Sequence, residues 1–135
     1  MNSTLVDSNV LLDVVEDESE WTDWSAAMLD DALRRGRVVI NPLIFAEISI
    51  ALPAIEDVDA AMPPDVFERE PLPWEAAFLA GRCYVAYRRH GGLWRSPLPD
   101  IYIGAHAAVC GCTLLTRDAR RYRHYFPKLR IVAPS

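Results

Sequence analysis

The alternation of short apolar runs with longer helix-like segments constrains the fold of this chain more than any other feature. Runs rich in Leu, Val and Ile occupy residues 4–6, 38–40 and 113–115, and no charged residue interrupts them. Segments with helical spacing of apolar residues separate these runs. Strands that are apolar throughout belong to parallel sheets covered by helices on both faces. The sequence therefore predicts one domain over residues 1–135, an α/β fold built as a three-layer α/β/α sandwich with a short parallel central sheet.

Glycine and proline delimit the predicted helices. Gly36, Pro53, the Gly91-Gly92 pair and Gly111 each follow a segment with helical spacing, and these residue types commonly end helices. Residues 66–72 predict a weak edge strand, and residues 129–132 predict a last strand. The first helix is expected to be capped by Ser8 or Asn9, and the last by Asp118. Helices are predicted to end near residues 15, 35, 53, 62, 90, 110 and 126.

The composition favours a protein of the cytoplasm. The most apolar stretch, residues 38–55, is interrupted by polar residues and prolines, so it does not predict a membrane span. The N-terminal residues lack the basic and apolar regions of a secretion signal. Three cysteines, an odd number, argue against a disulfide framework, and Cys110 and Cys112 are expected to be small buried residues.

The charges divide unevenly along the chain. Residues 1–70 contain sixteen acids and four arginines, whereas residues 71–135 contain three acids and ten Arg or Lys. A chain of this kind can present a basic surface despite its overall charge of −5. Unevenly charged solvated faces without a function are an equally good explanation of the charges alone.

Acidic residues follow the predicted strands. Asp7 comes directly after the first strand, Asp118 comes after the strand at 113–115, and Glu47 lies on the helix that follows the second strand. Because ligands bind beyond the carboxyl ends of parallel strands, these three acids should converge there. Asp100 begins a helix that leads into a strand, and such a helix normally starts at the opposite edge, so the pattern leaves its position open. Each Asp also has the simpler interpretation of a helix cap.

Carboxylates that converge need a compensating partner. At ~4 Å and an effective dielectric constant of ~20, each pair of charges costs about 4 kcal/mol. Oxygen ligands without a nearby pair of His or Cys favour Mg²⁺ or Mn²⁺ over Zn²⁺. Such an ion can activate a water molecule for attack on a phosphodiester. Asn9 and Thr116 are expected to add neutral contacts to the ion or its water.

Four sequence blocks carry a resemblance to a known family. The blocks are Leu5-Val6-Asp7-Ser8-Asn9-Val10-Leu11-Leu12, Asn41-Pro42-Leu43-Ile44-Phe45-Ala46-Glu47, Leu98-Pro99-Asp100-Ile101-Tyr102-Ile103-Gly104-Ala105-His106-Ala107 and Leu114-Leu115-Thr116-Arg117-Asp118. In their order and flanking residues they resemble the PIN domain family, in particular the VapC-type toxin ribonucleases of type II toxin–antitoxin systems. With residues 126–134, which resemble the family's closing strand, the blocks are distributed over nearly the whole chain.

The resemblance implies a function and a set of partners. It implies an endoribonuclease with Mg²⁺ or Mn²⁺ held by Asp7, Glu47, Asp100 and Asp118, and it places Asp100 in the same pocket as the other acids. It also implies a cognate VapB-like antitoxin and a homodimer, or a hetero-oligomer with that antitoxin. Some relatives have a further acid shortly after the position of Asp118, where this chain has arginines. A second metal is therefore not implied as firmly as the first.

The arginines around Asp118 are candidate RNA contacts. Arg117, Arg120 and Arg121 could bind phosphates beside the acids, although a solvated surface helix explains them nearly as well. Tyr122 and Tyr125 could stack on bases, with core packing the safer expectation for both.

Other functions remain open at this stage. A PIN-fold nuclease outside a toxin–antitoxin pair and a catalytically silent binding module are the alternatives within the family. Two other enzyme classes fit less well. A haloacid-dehalogenase-type enzyme should have an acid where Asn9 stands, and a receiver domain needs a lysine near the site, whereas Lys128 precedes the last strand.

Overall fold

A computed structural model describes residues 2–92 and 98–135, so residues 1 and 93–97 of the predicted domain lie outside the description. The described chain forms five strands and seven helices in alternation. In chain order they are β1 (Ser3–Val6), α1 (Ser8–Glu16), α2 (Thr22–Arg35), β2 (Arg37–Ile40), α3 (Pro42–Ala51), α4 (Ile55–Ala61), β3 (Phe67–Arg69), α5 (Trp74–Arg89), α6 (Pro99–Cys110), β4 (Thr113–Leu115), α7 (Arg120–Tyr125) and β5 (Ile131–Val132).

The five strands form one parallel sheet in the order β3-β2-β1-β4-β5. In the register at its centre, Leu5 of β1 pairs with Val39 of β2 and Leu114 of β4. These three side chains are almost completely buried, as expected for strands that are covered on both faces. The predicted parallel sheet is confirmed, and the weak run at 66–72 contributes only the three-residue edge strand β3.

The strand order places the two halves of the chain on opposite faces of the sheet. The connections from β1 to β2 and from β2 to β3 step in one direction, and the later connections step in the other. Because such crossovers are right-handed, α1 to α4 cover one face and α5 to α7 cover the other. Residues of the second group form their own apolar cluster, in which Ala76 and Ala80 of α5 pack with Ile101, Ala105 and Phe126. The three-layer α/β/α prediction is confirmed.

Local residue chemistry sets most of the helix ends. Asn41 caps α3, because its side-chain oxygen accepts a hydrogen bond from Ile44 N at 3.0 Å and Pro42 follows as the first helical residue. Gly111 ends α6 in the left-handed conformation, with φ 69°.

The caps expected for the first and last helices were wrong, whereas the alternative interpretation of Asp7 as a helix cap is confirmed. Asp7, rather than Ser8 or Asn9, is the N-cap of α1, because its extended backbone follows β1 directly and its carboxylate accepts from Ser8 N. Ala119, rather than Asp118, is the N-cap residue of α7. Asp118 lies one residue earlier and still accepts a hydrogen bond from Arg120 N at 3.3 Å. Among the helices of residues 2–92 and 98–135, none has the length and apolar character needed to cross a bilayer.

Candidate functional site

The candidate site lies where β1 and β4 run side by side. The chain leaves β1 toward one face of the sheet and leaves β4 toward the other, which opens a crevice beyond their carboxyl ends. Asp7 follows β1 directly, and Thr116 follows β4 directly. The backbone joins the two ends, because Asp7 N donates to Leu115 O at 2.8 Å.

Asp7 is the most buried acid of the crevice, with 5% of its surface exposed. Its Oδ2 accepts hydrogen bonds from Thr116 Oγ1 at 2.8 Å and from Tyr122 OH at 2.9 Å, and its Oδ1 accepts from Ser8 N at 2.8 Å. Burial raises the pKa of Asp7, these hydrogen bonds oppose the rise, and the negative charge of Asp100 adds to it.

Glu47 reaches the crevice from the second turn of α3. Ser8 Oγ donates to Glu47 Oε1 at 3.0 Å, so Ser8 contacts two of the predicted acids through its backbone and its side chain. Burial raises the pKa of Glu47, and the negative charges of Asp7 and Asp100 raise it further. The structure thus places Glu47 in the first two turns of the helix after the second strand, as the sequence predicted.

Asp100 lies at the start of α6 and faces the same crevice. The C-terminal end of α6 leads through Gly111 into the first residue of β4, so the helix runs from the carboxyl edge of the sheet back to the other edge. The negative charge of Asp100 adds to the rise that burial causes in the pKa of Asp7 and of Glu47, so Asp100 lies near enough to act on both. Asp100 Oδ2 also forms an ion pair with Arg121 Nη1 at 2.8 Å.

Asp118 is connected to this group through Thr116. Thr116 Oγ1 donates to Asp7 and lies 3.2 Å from Asp118 N, which donates to it. Asn9 Nδ2 contacts the same hydroxyl at 3.4 Å, while Asn9 Oδ1 accepts from Arg117 N at 3.1 Å. The side chain of Asp118 is exposed. Asn9 and Thr116 thus hold the loop after β4 against Asp7.

Tyr122 belongs to the site but was not predicted to do so. Its side chain is 2% exposed, so the base-stacking interpretation is wrong and the expected core packing is confirmed. Burial and the nearby negative charges of Asp7 and Asp100 raise the pKa of Tyr122, which therefore remains a hydrogen-bond donor. The spacing of the sequence indicates a buried face of α7, but it gives no sign of the hydrogen bond to Asp7.

The arginines after β4 differ in their surroundings. Arg117 Nε lies 3.1 Å from Oδ2 of Asp13, a buried carboxylate on α1 that also accepts from Ser25 Oγ at 2.7 Å. Arg121 pairs with Asp100, and Arg120 is exposed. Asp13 was not predicted to have a role, because in the sequence it occupies an ordinary polar position of a short helix.

The comparison of the sequence with protein families decides the family. The family model described as PIN domain matches residues 4–127, nearly the whole chain. The chain belongs to the PIN domain family. PIN domains are nucleases and generally use divalent metal ions. No curated protein matches the sequence.

Solved structures of similar fold agree with this assignment. VapBC2 from Rickettsia felis, solved bound to a DNA fragment from their promoter, has 15% identity, covers 97% of this chain and 98% of that chain, and has a TM-score of 0.74. FitAcB from Neisseria gonorrhoeae has 18% identity, covers 95% of each chain and has a TM-score of 0.72. VapBC-1 from nontypeable Haemophilus influenzae has 13% identity, covers 97% of each chain and has a TM-score of 0.73. At these identities the similarity shows the fold.

The acids of this PIN domain suit a hard divalent cation. Their ligand atoms are carboxylate oxygens. Burial, together with neighbouring negative charge, raises the pKa of Asp7 and Glu47, and a positive charge between them would stabilise the charged forms. Among the described residues, no three of the four acids bring one oxygen each within 4.8 Å of one another. Mg²⁺ usually retains several waters and binds through one or two carboxylates, so this spacing fits an ion held partly through water.

A second group of side chains lies close enough together to hold a metal ion, but its hydrogen bonds argue against a metal site. Glu70, His106 and Cys110 bring one ligand atom each within 4.8 Å of one another. Asn41 Oδ1 caps α3, so its amide nitrogen faces His106 Nδ1 at 3.0 Å and donates to it. The neutral ring then carries its proton on Nε2, which faces Glu70 Oε1 at 3.4 Å and has no lone pair for a metal. Cys110 is exposed, contrary to expectation, whereas Cys112 is buried as predicted.

Proposed function

We propose that this chain is an Mg²⁺- or Mn²⁺-dependent endoribonuclease that acts as the toxin of a toxin–antitoxin pair. The observation that carries the proposal is the crevice in which Ser8 joins Asp7 to Glu47 and in which the negative charge of Asp100 acts on both carboxylates. A PIN domain that retains all four acids has the ligands that its nuclease chemistry needs. This favours an active enzyme over a catalytically silent binding module.

Asp7, Glu47, Asp100 and Asp118 are the residues proposed to hold the ion. When bound, a divalent cation supplies Lewis-acid stabilisation of the phosphodiester and lowers the pKa of a water molecule. Thr116 and Tyr122 fix one oxygen of Asp7, and Ser8 N fixes the other, so the carboxylate has a single orientation toward the crevice. Asn9 and Thr116 keep Asp118 beside it. Arg117, Arg120 and Arg121 stand next to these acids and are proposed to contact RNA phosphates.

The proposed partner is a VapB-like antitoxin. The support comes from the VapBC structures that share the fold over nearly their full length and from the resemblance of the four acidic blocks to VapC-type toxins. A homodimer, or a hetero-oligomer with the antitoxin, is part of the same proposal, as is a cytoplasmic location. A PIN-fold nuclease outside a toxin–antitoxin pair is the alternative. An antitoxin gene directly upstream, whose co-expression relieves growth arrest caused by this chain, would decide between the two.

The test of catalysis is cleavage of a single-stranded RNA by purified protein in Mg²⁺ or Mn²⁺, with and without a chelator. The wild type should cut, and the chelator should stop it. Asp7→Asn keeps the size of the side chain and removes the charge, so it should abolish cleavage. Asp65→Asn is the matched control, because Asp65 is an exposed aspartate outside the site. Cleavage by Asp7→Asn at the wild-type rate, with both variants folded by circular dichroism, would refute the assignment.

A further inference from the structure

A groove between α5 and α7 lies on the basic face, and the proposed chemistry leaves it without a role. It encloses about 670 Å³. Its walls combine cationic and aromatic side chains, and no Asp or Glu lines the part that the described residues form. The side chains that define it are Arg82, Tyr87, His90, His124 and Tyr125.

The fold concentrates positive charge on the face that carries this groove. Residues 71–92 and 98–135 supply α5, α6 and α7, and they contain nine Arg or Lys and only three acids. Two of those acids, Asp100 and Asp118, belong to the catalytic crevice. The opposite face, covered by α1 to α4, is built from residues that include most of the acids. A polyanion that approaches the crevice is therefore attracted to the α5–α7 side and repelled from the other.

Helix α7 connects the groove to the acids of the crevice. Arg121 of α7 pairs with Asp100, and Tyr125 of the same helix lines the groove four residues later, about 6 Å along the helix axis. The positive charge of Arg121 also acts on Tyr125, since it opposes the rise in the pKa of Tyr125 that burial causes. A strand that leaves the crevice along α7 would therefore pass Tyr125 at the wall of the groove.

The aromatic walls are held in place by packing. The backbone of Gly92 lies against the ring of Tyr87 so closely that a Cβ would collide with it, and Tyr84 packs beside the same ring with a centroid distance of 6.3 Å. The rings of His124 and Tyr125 meet edge to face at 4.8 Å. Rigid aromatic surfaces lose little conformational entropy when a base stacks on them.

Arg82 is the groove's available cation. It is exposed, and no acidic partner for it is found among residues 2–92 and 98–135. By contrast, Arg34 on the opposite face is neutralised by Asp30 at 2.9 Å. An unpaired guanidinium beside aromatic rings is the combination that binds the phosphates and bases of single-stranded nucleic acid.

We infer that the α5–α7 groove binds the single-stranded RNA that flanks the cleaved phosphodiester. The inference rests on the proposed ribonuclease function and adds a defined binding surface to it. Arg82 contacts a phosphate, and the tyrosines present faces on which bases stack. An acidic protein partner would also be attracted by the charge, but it would not need the aromatic surfaces or the path along α7 to the crevice.

The test is equilibrium binding of a labelled single-stranded RNA of about ten nucleotides, measured in chelator over a series of salt concentrations. Arg82→Gln should reduce the slope of log K against log salt by about 0.7, which corresponds to about a fivefold weaker affinity at about 0.1 M salt. The charge reversal Arg82→Glu should weaken binding further. Arg34→Gln changes the net charge equally on the opposite face and should leave the slope unchanged. Circular dichroism confirms that each variant is folded.

The outcomes separate this inference from the proposed function. If Arg82→Gln and Arg34→Gln have the same slope as the wild type while Asp7→Asn abolishes cleavage, the enzyme assignment stands and the groove assignment is wrong. If the wild type neither cuts nor binds RNA, the proposed function fails. If RNA does not bind but an acidic polypeptide such as polyglutamate binds with a salt slope that depends on Arg82, the groove serves a protein partner and the RNA assignment is overturned.

Discussion

Replacing Glu47 with glutamine should stabilise the metal-free protein and destabilise it relative to the wild type when metal is present. Glutamine keeps an oxygen that accepts the hydrogen bond from Ser8 Oγ and removes the negative charge of Glu47. That charge is unfavourable in the folded protein, because burial and the charges of Asp7 and Asp100 raise the pKa of the Glu47 carboxyl. At ~7 Å and an effective dielectric constant of ~40, one pair of carboxylates costs about 1 kcal/mol. Because Glu47 is partly exposed, solvent screening limits the net gain to about 1 kcal/mol, or about 4 °C in Tm.

The assay is thermal unfolding at neutral pH in chelator and in excess Mg²⁺. In Mg²⁺ at ~100 times the Kd, the wild type should gain about 2.7 kcal/mol, and Glu47→Gln should gain much less, so the order of stability reverses. The pKa of Glu47 in the folded protein lies above the ordinary value of 4.5, so lowering the pH toward 4.5 protonates the folded carboxyl. The difference in stability between Glu47→Gln and the wild type in chelator should therefore shrink and disappear as the pH falls. Glu18→Gln, at an exposed site, is the control. A variant that is less stable than the wild type in chelator would contradict the reasoning.

Four further substitutions test hydrogen bonding, ion pairing and packing around the site. Tyr122→Phe removes a buried hydrogen bond to Asp7, so it should lower the free energy of unfolding by about 1.5 kcal/mol and slow RNA cleavage. An unchanged midpoint of denaturant unfolding together with an unchanged cleavage rate would show that the hydroxyl is dispensable. Asp13→Asn weakens the ion pair with Arg117 that joins α1 to the loop after β4. Because Arg117 is partly exposed, the free energy of unfolding should fall by about 1–2 kcal/mol, measured from the midpoint of denaturant unfolding. Gly104→Ala would force a Cβ into the ring of Phe126 and should lower the free energy of unfolding by about 1–3 kcal/mol. Gly81→Ala meets open space on α5 and should raise the free energy of unfolding by about 0.5–1 kcal/mol. Equal effects of the two substitutions on Tm would refute the packing argument.

The sequence could predict the parallel sheet and the position of most acids because these depend on local patterns. Apolar runs and helix-ending residues define each strand and helix within a few neighbours, and a residue that follows a parallel strand must lie at its carboxyl edge. The sequence alone therefore assigns Asp7 and Glu47 to one edge of the sheet. The caps of α1 and α7 were less well predicted because several adjacent polar residues compete for the same role.

Only the tertiary structure decided how the acids are held and what each neighbouring side chain does. Asp100 reaches the crevice because α6 starts at the carboxyl edge of the sheet, which no local pattern around it reveals. Tyr122 donates to Asp7 across 115 positions of sequence, and Arg117 turns toward Asp13 on another helix. Such contacts form only when separate helices pack on the sheet. A hydrogen bond or ion pair between residues far apart in the chain produces no periodic pattern in the sequence, so sequence patterns cannot predict it.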